Sequence, residues 1–139
     1  MTAVFSPTQR ATMIAICEAL FASETGPPPR ARLDWLADEA EDFLQEAGRR
    51  ATRSIKLLIT LVACLAPWLA MRPMALRSMP LELRIRVLDR MERGLAGALV
   101  VALKASFCIV YYEHPDVAAE IGFDGGCLVE STQRADATR

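Results

Sequence analysis

Side chains able to do chemistry are few and scattered in this chain of 139 residues. It has one histidine, His114, and four cysteines, Cys17, Cys64, Cys108 and Cys127, with no pair at C-x-x-C spacing and no haem-attachment signature. With a single imidazole, a zinc or di-iron site would lack its usual ligands, and both are excluded. Cys17, Cys64 and Cys108 fall in apolar helical stretches, where a free thiol behaves as a small hydrophobe. Cys127, in a glycine-rich exit loop, is the one candidate for reactivity. His114 precedes Pro115 at a helix end that would favour a positive imidazole, with Glu113 and Asp116 beside it. Closing the helix is its plainer role. Cys108 and Cys127 flank His114, but no nucleophile signature ties them together. Gly122-Phe123-Asp124-Gly125-Gly126 follows a helix and has neither dinucleotide nor P-loop spacing, so it reads as a turn. No catalytic, metal or cofactor-binding constellation is complete, and the expectation is a chain that is not an enzyme by itself.

Composition bounds the rest. Apolar residues make up 53% of the chain, which sets it apart from disordered sequences, and a formal charge of −1 gives no global field for nucleic acid. The charges are unevenly placed: residues 49–93 carry ten basic and three acidic groups, between acidic ends. Charge matching within one helical bundle accounts for this, and so does a basic face for an acidic partner. Arg72, Arg77, Arg84, Arg86, Arg90 and Arg93 would line a phosphate track, but Glu82, Asp89 and Glu92 interrupt it and no recognition-helix pattern is present.

Periodicity predicts an all-α fold: a single compact bundle of about five helices plus a short C-terminal helix, within one domain over 1–129, and a polar tail over 130–139. Ser6-Pro7-Thr8-Gln9 is a capping box opening a first helix to about Ala22, with Met13, Ile16, Cys17 and Leu20 as its apolar face. A second helix over about 31–47 places Leu33, Leu36, Ala37, Ala40, Phe43, Leu44 and Ala47 in one stripe and leaves its carboxylates solvated. A third runs from about Arg50 to Ala66 and should kink or end at Pro67, with an irregular segment after it. Ser78 is the expected cap of a fourth, whose buried face is Leu81, Ile85, Leu88 and Met91, with Glu82–Arg86 and Asp89–Arg93 as i,i+4 pairs. The fifth, from about Leu95 to Glu113, has a small-residue side (Gly97, Ala98, Val101, Ala102, Ala105, Cys108) that predicts close neighbours and a central position. Pro115 to Ile121 forms the short last helix, stopped by Gly122. Leu57 to Met71 is free of charge but too short for a spanning helix. With Arg49, Arg50, Arg53 and Lys56 beside it, membrane-surface association is a minor alternative.

Tyr111-Tyr112-Glu113-His114-Pro115-Asp116-Val117, followed by Ile121-Gly122-Phe123-Asp124-Gly125, resembles the C-terminal signature of the gluconate 2-dehydrogenase subunit 3 family. The same pattern appears in the helical N-terminal extension of some long-chain alcohol oxidases of the glucose-methanol-choline class. Phe5-Ser6-Pro7-Thr8-Gln9-Arg10 is similar to the family's opening, and Met79 to Lys104, with Leu83, Arg84, Leu88 and Leu103-Lys104, is similar in order and spacing. Residues 26–73 match only in general helical character.

The resemblance implies a non-catalytic small subunit of an FAD-dependent oxidoreductase complex. It would pack on, stabilise or mature a flavoprotein that holds FAD and oxidises an alcohol, sugar or sterol, with no cofactor in this chain. Partner contacts are expected from Trp35, Trp68, Tyr111, Tyr112, His114 and Phe123, large or amphipathic groups near predicted helix ends. Core packing is the competing role of each, and the stronger one for Tyr111. No nucleic acid is expected as a partner, and a membrane surface only indirectly. Family members commonly begin with a twin-arginine export signal, which this sequence lacks; the expectation is cytoplasmic as given, or periplasmic if the chain is a mature form or is exported with its partner. The alternative is a self-associating helical scaffold without an enzyme partner.

Overall fold

The computed structural model describes residues 3–122, and Phe123, Cys127 and the tail over 130–139 lie outside them. Six α-helices and one 3₁₀ turn make an all-α bundle: α1 (Pro7–Leu20), α2 (Arg30–Ala47), α3 (Arg49–Ala70), the turn Leu76–Ser78, α4 (Leu81–Arg93), α5 (Gly97–Tyr111) and α6 (Pro115–Glu120). The capping box forms as the sequence dictates: the Gln9 amide donates to Ser6 Oγ at 3.2 Å, and the Ser6 amide donates to Gln9 Oε1 at 3.1 Å.

The centre of the bundle is α1 rather than α5. Every residue from Thr12 to Cys17 is buried, and α1 packs on α2, α3, α4 and α5 as well as the 3₁₀ turn. Beyond the stripe Met13-Ile16-Cys17, Ile14, Ala15 and Ala19 are also small or apolar and buried, and the polar Arg10 and Glu18 are tied to Asp38, Glu41 and Arg84 of neighbouring helices. Thr12 satisfies its hydroxyl by donating to the Thr8 carbonyl at 2.8 Å. In α5 the buried positions are Gly97, Val100, Leu103, Phe107, Val110 and Tyr111. Of its small-residue side only Gly97 is buried, while Ala98, Val101 and Ala105 are exposed.

Pro67 does not end α3, which continues to Ala70 and stops at Met71 in the left-handed region (φ 53°). Proline forfeits one helical hydrogen bond, but Val62 and Ala66 are buried and Leu69 packs on the core, so tertiary contacts carry the helix through it. Ser78 belongs to the 3₁₀ turn and does not cap α4, whose N-terminus is preceded by Pro80. The buried face of α4 is Arg84, Val87, Leu88 and Met91, turning Ile85 outward. Of the two expected pairs, Asp89–Arg93 closes at 2.9 Å and Glu82–Arg86 does not.

Between α4 and α5 the chain turns through 115°. At this corner a Cβ on Gly97 would stand 2.4 Å from the Glu92 carbonyl oxygen, so only glycine lets the two backbones approach this closely. At the end of α6, Gly122 takes φ +75°, the left-handed stop expected there.

Candidate functional site

Most of the expected contact residues gather at one end of the bundle, where α6 folds back on the start of α2. The Tyr111 ring is buried and stacks on Phe21, with centroids 4.1 Å apart and planes 3° from parallel. Tyr112 lies edge-on to it at 5.6 Å and is half exposed. Trp35, half-buried on α2, meets the His114 ring edge-on at 4.6 Å. His114 Nδ1 accepts the Asp116 amide at 3.2 Å, so the imidazole caps α6. Arg32 completes the clasp: both terminal nitrogens reach the Glu120 carboxylate, at 2.9 and 3.3 Å, and one donates to the Tyr111 hydroxyl at 3.4 Å. These bonds, Glu120 first and then Tyr111, raise the guanidinium's pKa and hold it charged.

The geometry gives the clasp a joining role. Its polar atoms bond one another, its rings pack on one another, and no pair stands as nucleophile and base. Trp68 lies far along the chain, at the outer end of α3, and is 83% exposed. The structure thus brings Trp35, Tyr111, Tyr112 and His114 together and leaves Trp68 apart.

The thiols of Cys17 and Cys108 are equally poor in chemistry. Burial pushes the Cys17 thiol far above its ordinary range, with Cys108 adding to the shift, and burial also raises Cys108 against the opposing pull of Lys104. A thiol so held stays protonated and is a weak nucleophile. Among the described residues, no three or more His, Cys, Asp or Glu side chains converge in a way that would hold a metal ion.

Arg84, read from the sequence as one step of a basic track, is 7% exposed and faces inward. Its Nε donates to the Met79 carbonyl at 3.1 Å, and one terminal nitrogen donates to the Ala15 carbonyl and to Glu18, each at 2.8 Å. It pins α4 and the segment before it to α1, and the track loses a member. The carboxylates of α2 are likewise not all solvated: Glu41 accepts from Arg10 at 3.2 Å and from the Val4 amide at 3.2 Å, and Asp38 accepts from Arg10 at 2.7 Å.

Two open surfaces are mainly apolar among the described residues. One is a groove of about 320 Å³ between α2, α3 and α5, walled by Phe43, Ile55, Leu58, Phe107 and Ile109, with Ser54 and Ser106 as its polar members. Ile109 is 62% exposed on its rim. The sequence placed Phe43 in the buried stripe of α2; the groove is why it stands half out of the core. The other surface is the outward side of α3, where Leu57, Leu61, Cys64, Leu65 and Trp68 are exposed. Nothing in the sequence pattern points to the groove, and the outward face of α3 is legible in it only as the charge-free run Leu57 to Met71 with its basic flank, the minor membrane-surface alternative. No known protein family, no curated protein and no solved structure matches the chain.

Proposed function

We propose that this chain is a non-catalytic accessory subunit that docks on a larger FAD-dependent oxidoreductase of the glucose-methanol-choline class. The observation that carries the docking role is the groove between α2, α3 and α5: concave, almost wholly apolar and rimmed by exposed Phe43 and Ile109. Such a recess accepts a projecting apolar element of a partner, because burying each large side chain there contributes about 1.5–3 kcal/mol. The flavoprotein as partner rests on the resemblance of Tyr111 to Gly125 to the small-subunit signature. In this reading the clasp fixes Tyr111 to Glu120 of the signature against the bundle, FAD and the reacting groups belong to the larger chain, and this chain stabilises it.

Affinity purification of the chain from its native source tests this. A yellow flavoprotein should co-purify, and Ile109→Asp should release it while leaving the helical content unchanged, since the position is exposed. Recovery of a colourless, monomeric chain alone would sink the reading. The groove equally favours self-association into a scaffold, which light scattering would report as a homo-oligomer dispersed by the same substitution.

A further inference from the structure

We propose that the outward face of α3 is an anionic-lipid-binding surface that lays this domain on a membrane. The proposal goes beyond the accessory-subunit reading and does not depend on it. Three observations carry it.

The first is the composition of the face. Steps of three and four residues put Arg50, Arg53, Leu57, Leu61, Cys64, Trp68 and Met71 along one line of the helix, and all seven are exposed. Cations occupy the first turns, and apolar side chains the following stretch of roughly 21 Å by helix rise. Leu57 is 59% exposed and Met71 89%.

The second is charge. Residues 47–81 contain no Asp or Glu but hold Arg49, Arg50, Arg53, Lys56, Arg72 and Arg77. Among the described residues, none of these six has a carboxylate within 4.0 Å, whereas Arg10, Arg30, Arg32, Arg84 and Arg93 are all paired. Unpaired cations flanking an apolar strip call for an occupant that is both anionic and greasy, which an anionic phospholipid layer supplies over its whole surface. A second copy docked through the same helix brings only more arginine. Antiparallel pairing would set Arg50 and Arg53 beside the partner's apolar end, and parallel pairing would set like charges together.

The third is the helix itself. α3 is long and apolar enough to cross a membrane by length and composition, with mean hydropathy 1.5 over its best 18 residues, yet only 17% of that window is buried, unlike a core helix. Ile59, Val62 and Ala66 on its inner side are locked in the core, so the helix lies along the surface and does not span. Trp68 then sits at the depth where indole rings are favoured, between headgroups and acyl chains.

The test uses the full chain with sedimenting vesicles of phosphatidylcholine alone and of phosphatidylcholine with phosphatidylglycerol, at low and at high salt. The chain should sediment with the anionic vesicles, be released by salt, and show quenching of its tryptophan fluorescence by brominated acyl chains. Arg50→Glu with Arg53→Glu should weaken partitioning by roughly tenfold or more, at about 1 kcal/mol for each basic residue near the surface. Leu57→Ser with Trp68→Ser should abolish partitioning and quenching, and unchanged circular dichroism and melting would show that the fold survives. A chain that stays in the supernatant with both vesicle types at low salt overturns the proposal. So do variants that partition as well as the parent, or a homodimer whose Cys64 thiols cross-link to each other.

Discussion

The clasp at the α6 end and the outward face of α3 make opposite use of similar side chains. At the clasp, Tyr111, Trp35 and His114 spend their rings on one another and on Phe21, and Arg32 spends its charge on Glu120. On α3, Trp68 and Leu57 touch little, and the neighbouring cations have no carboxylate within 4.0 Å among the described residues. The clasp is closed and the α3 face is open, although the sequence marks both, one by an aromatic motif and the other by a charge-free run with a basic flank. A run of residue types therefore marks an element, and only the fold decides whether its side chains are used within the domain or left uncovered.

Substitution separates the two regions by stability. Tyr111→Ala removes a buried ring stacked on Phe21 and one acceptor of Arg32, and should cost about 3–4 kcal/mol in urea unfolding at the lower end of the range for aromatic truncations. A loss below about 1 kcal/mol would mean that the clasp is not closed in solution. Glu120→Gln weakens one ion pair with an exposed carboxylate and should cost no more than about 1 kcal/mol by the same measurement. Trp68→Ser, on the open face, should leave the unfolding midpoint within about 0.5 kcal/mol of the parent. If it destabilises the chain as Tyr111→Ala does, the face is covered in solution and the contrast fails.

Much of the fold was legible in the sequence where local chemistry decides it. The Ser6–Gln9 box, the left-handed stop at Gly122 and the inward row Leu33-Leu36-Ala37-Ala40-Leu44 each follow from a few neighbouring residues. Tertiary contacts decided the rest. Pro67 breaks a helix on propensity alone, but a proline within a helix packed at Val62, Ala66 and Leu69 is outvoted. Arg84 looks like surface charge in a run of arginines, and only the arrival of Ala15 and Glu18 from 66 or more residues away makes it a core group. The small residues of α5 suggest close approach, which Gly97 makes with the end of α4, yet small side chains are also tolerated facing water, and Ala98 and Ala105 do so. For the site, residue type found the aromatics but could not tell rings that meet each other from a ring the fold leaves exposed.

The central place of α1 has a consequence for how the chain must assemble. Met13, Ile14 and Ile16 are completed by helices that follow later in the sequence, so during synthesis this segment emerges before the surfaces that cover it. It is then an apolar stretch awaiting α2 to α5, and folding has to close contacts such as Ala15 to Arg84, 69 residues apart, before the centre is dry. Until then α1 is apolar surface of the kind that chaperones shield.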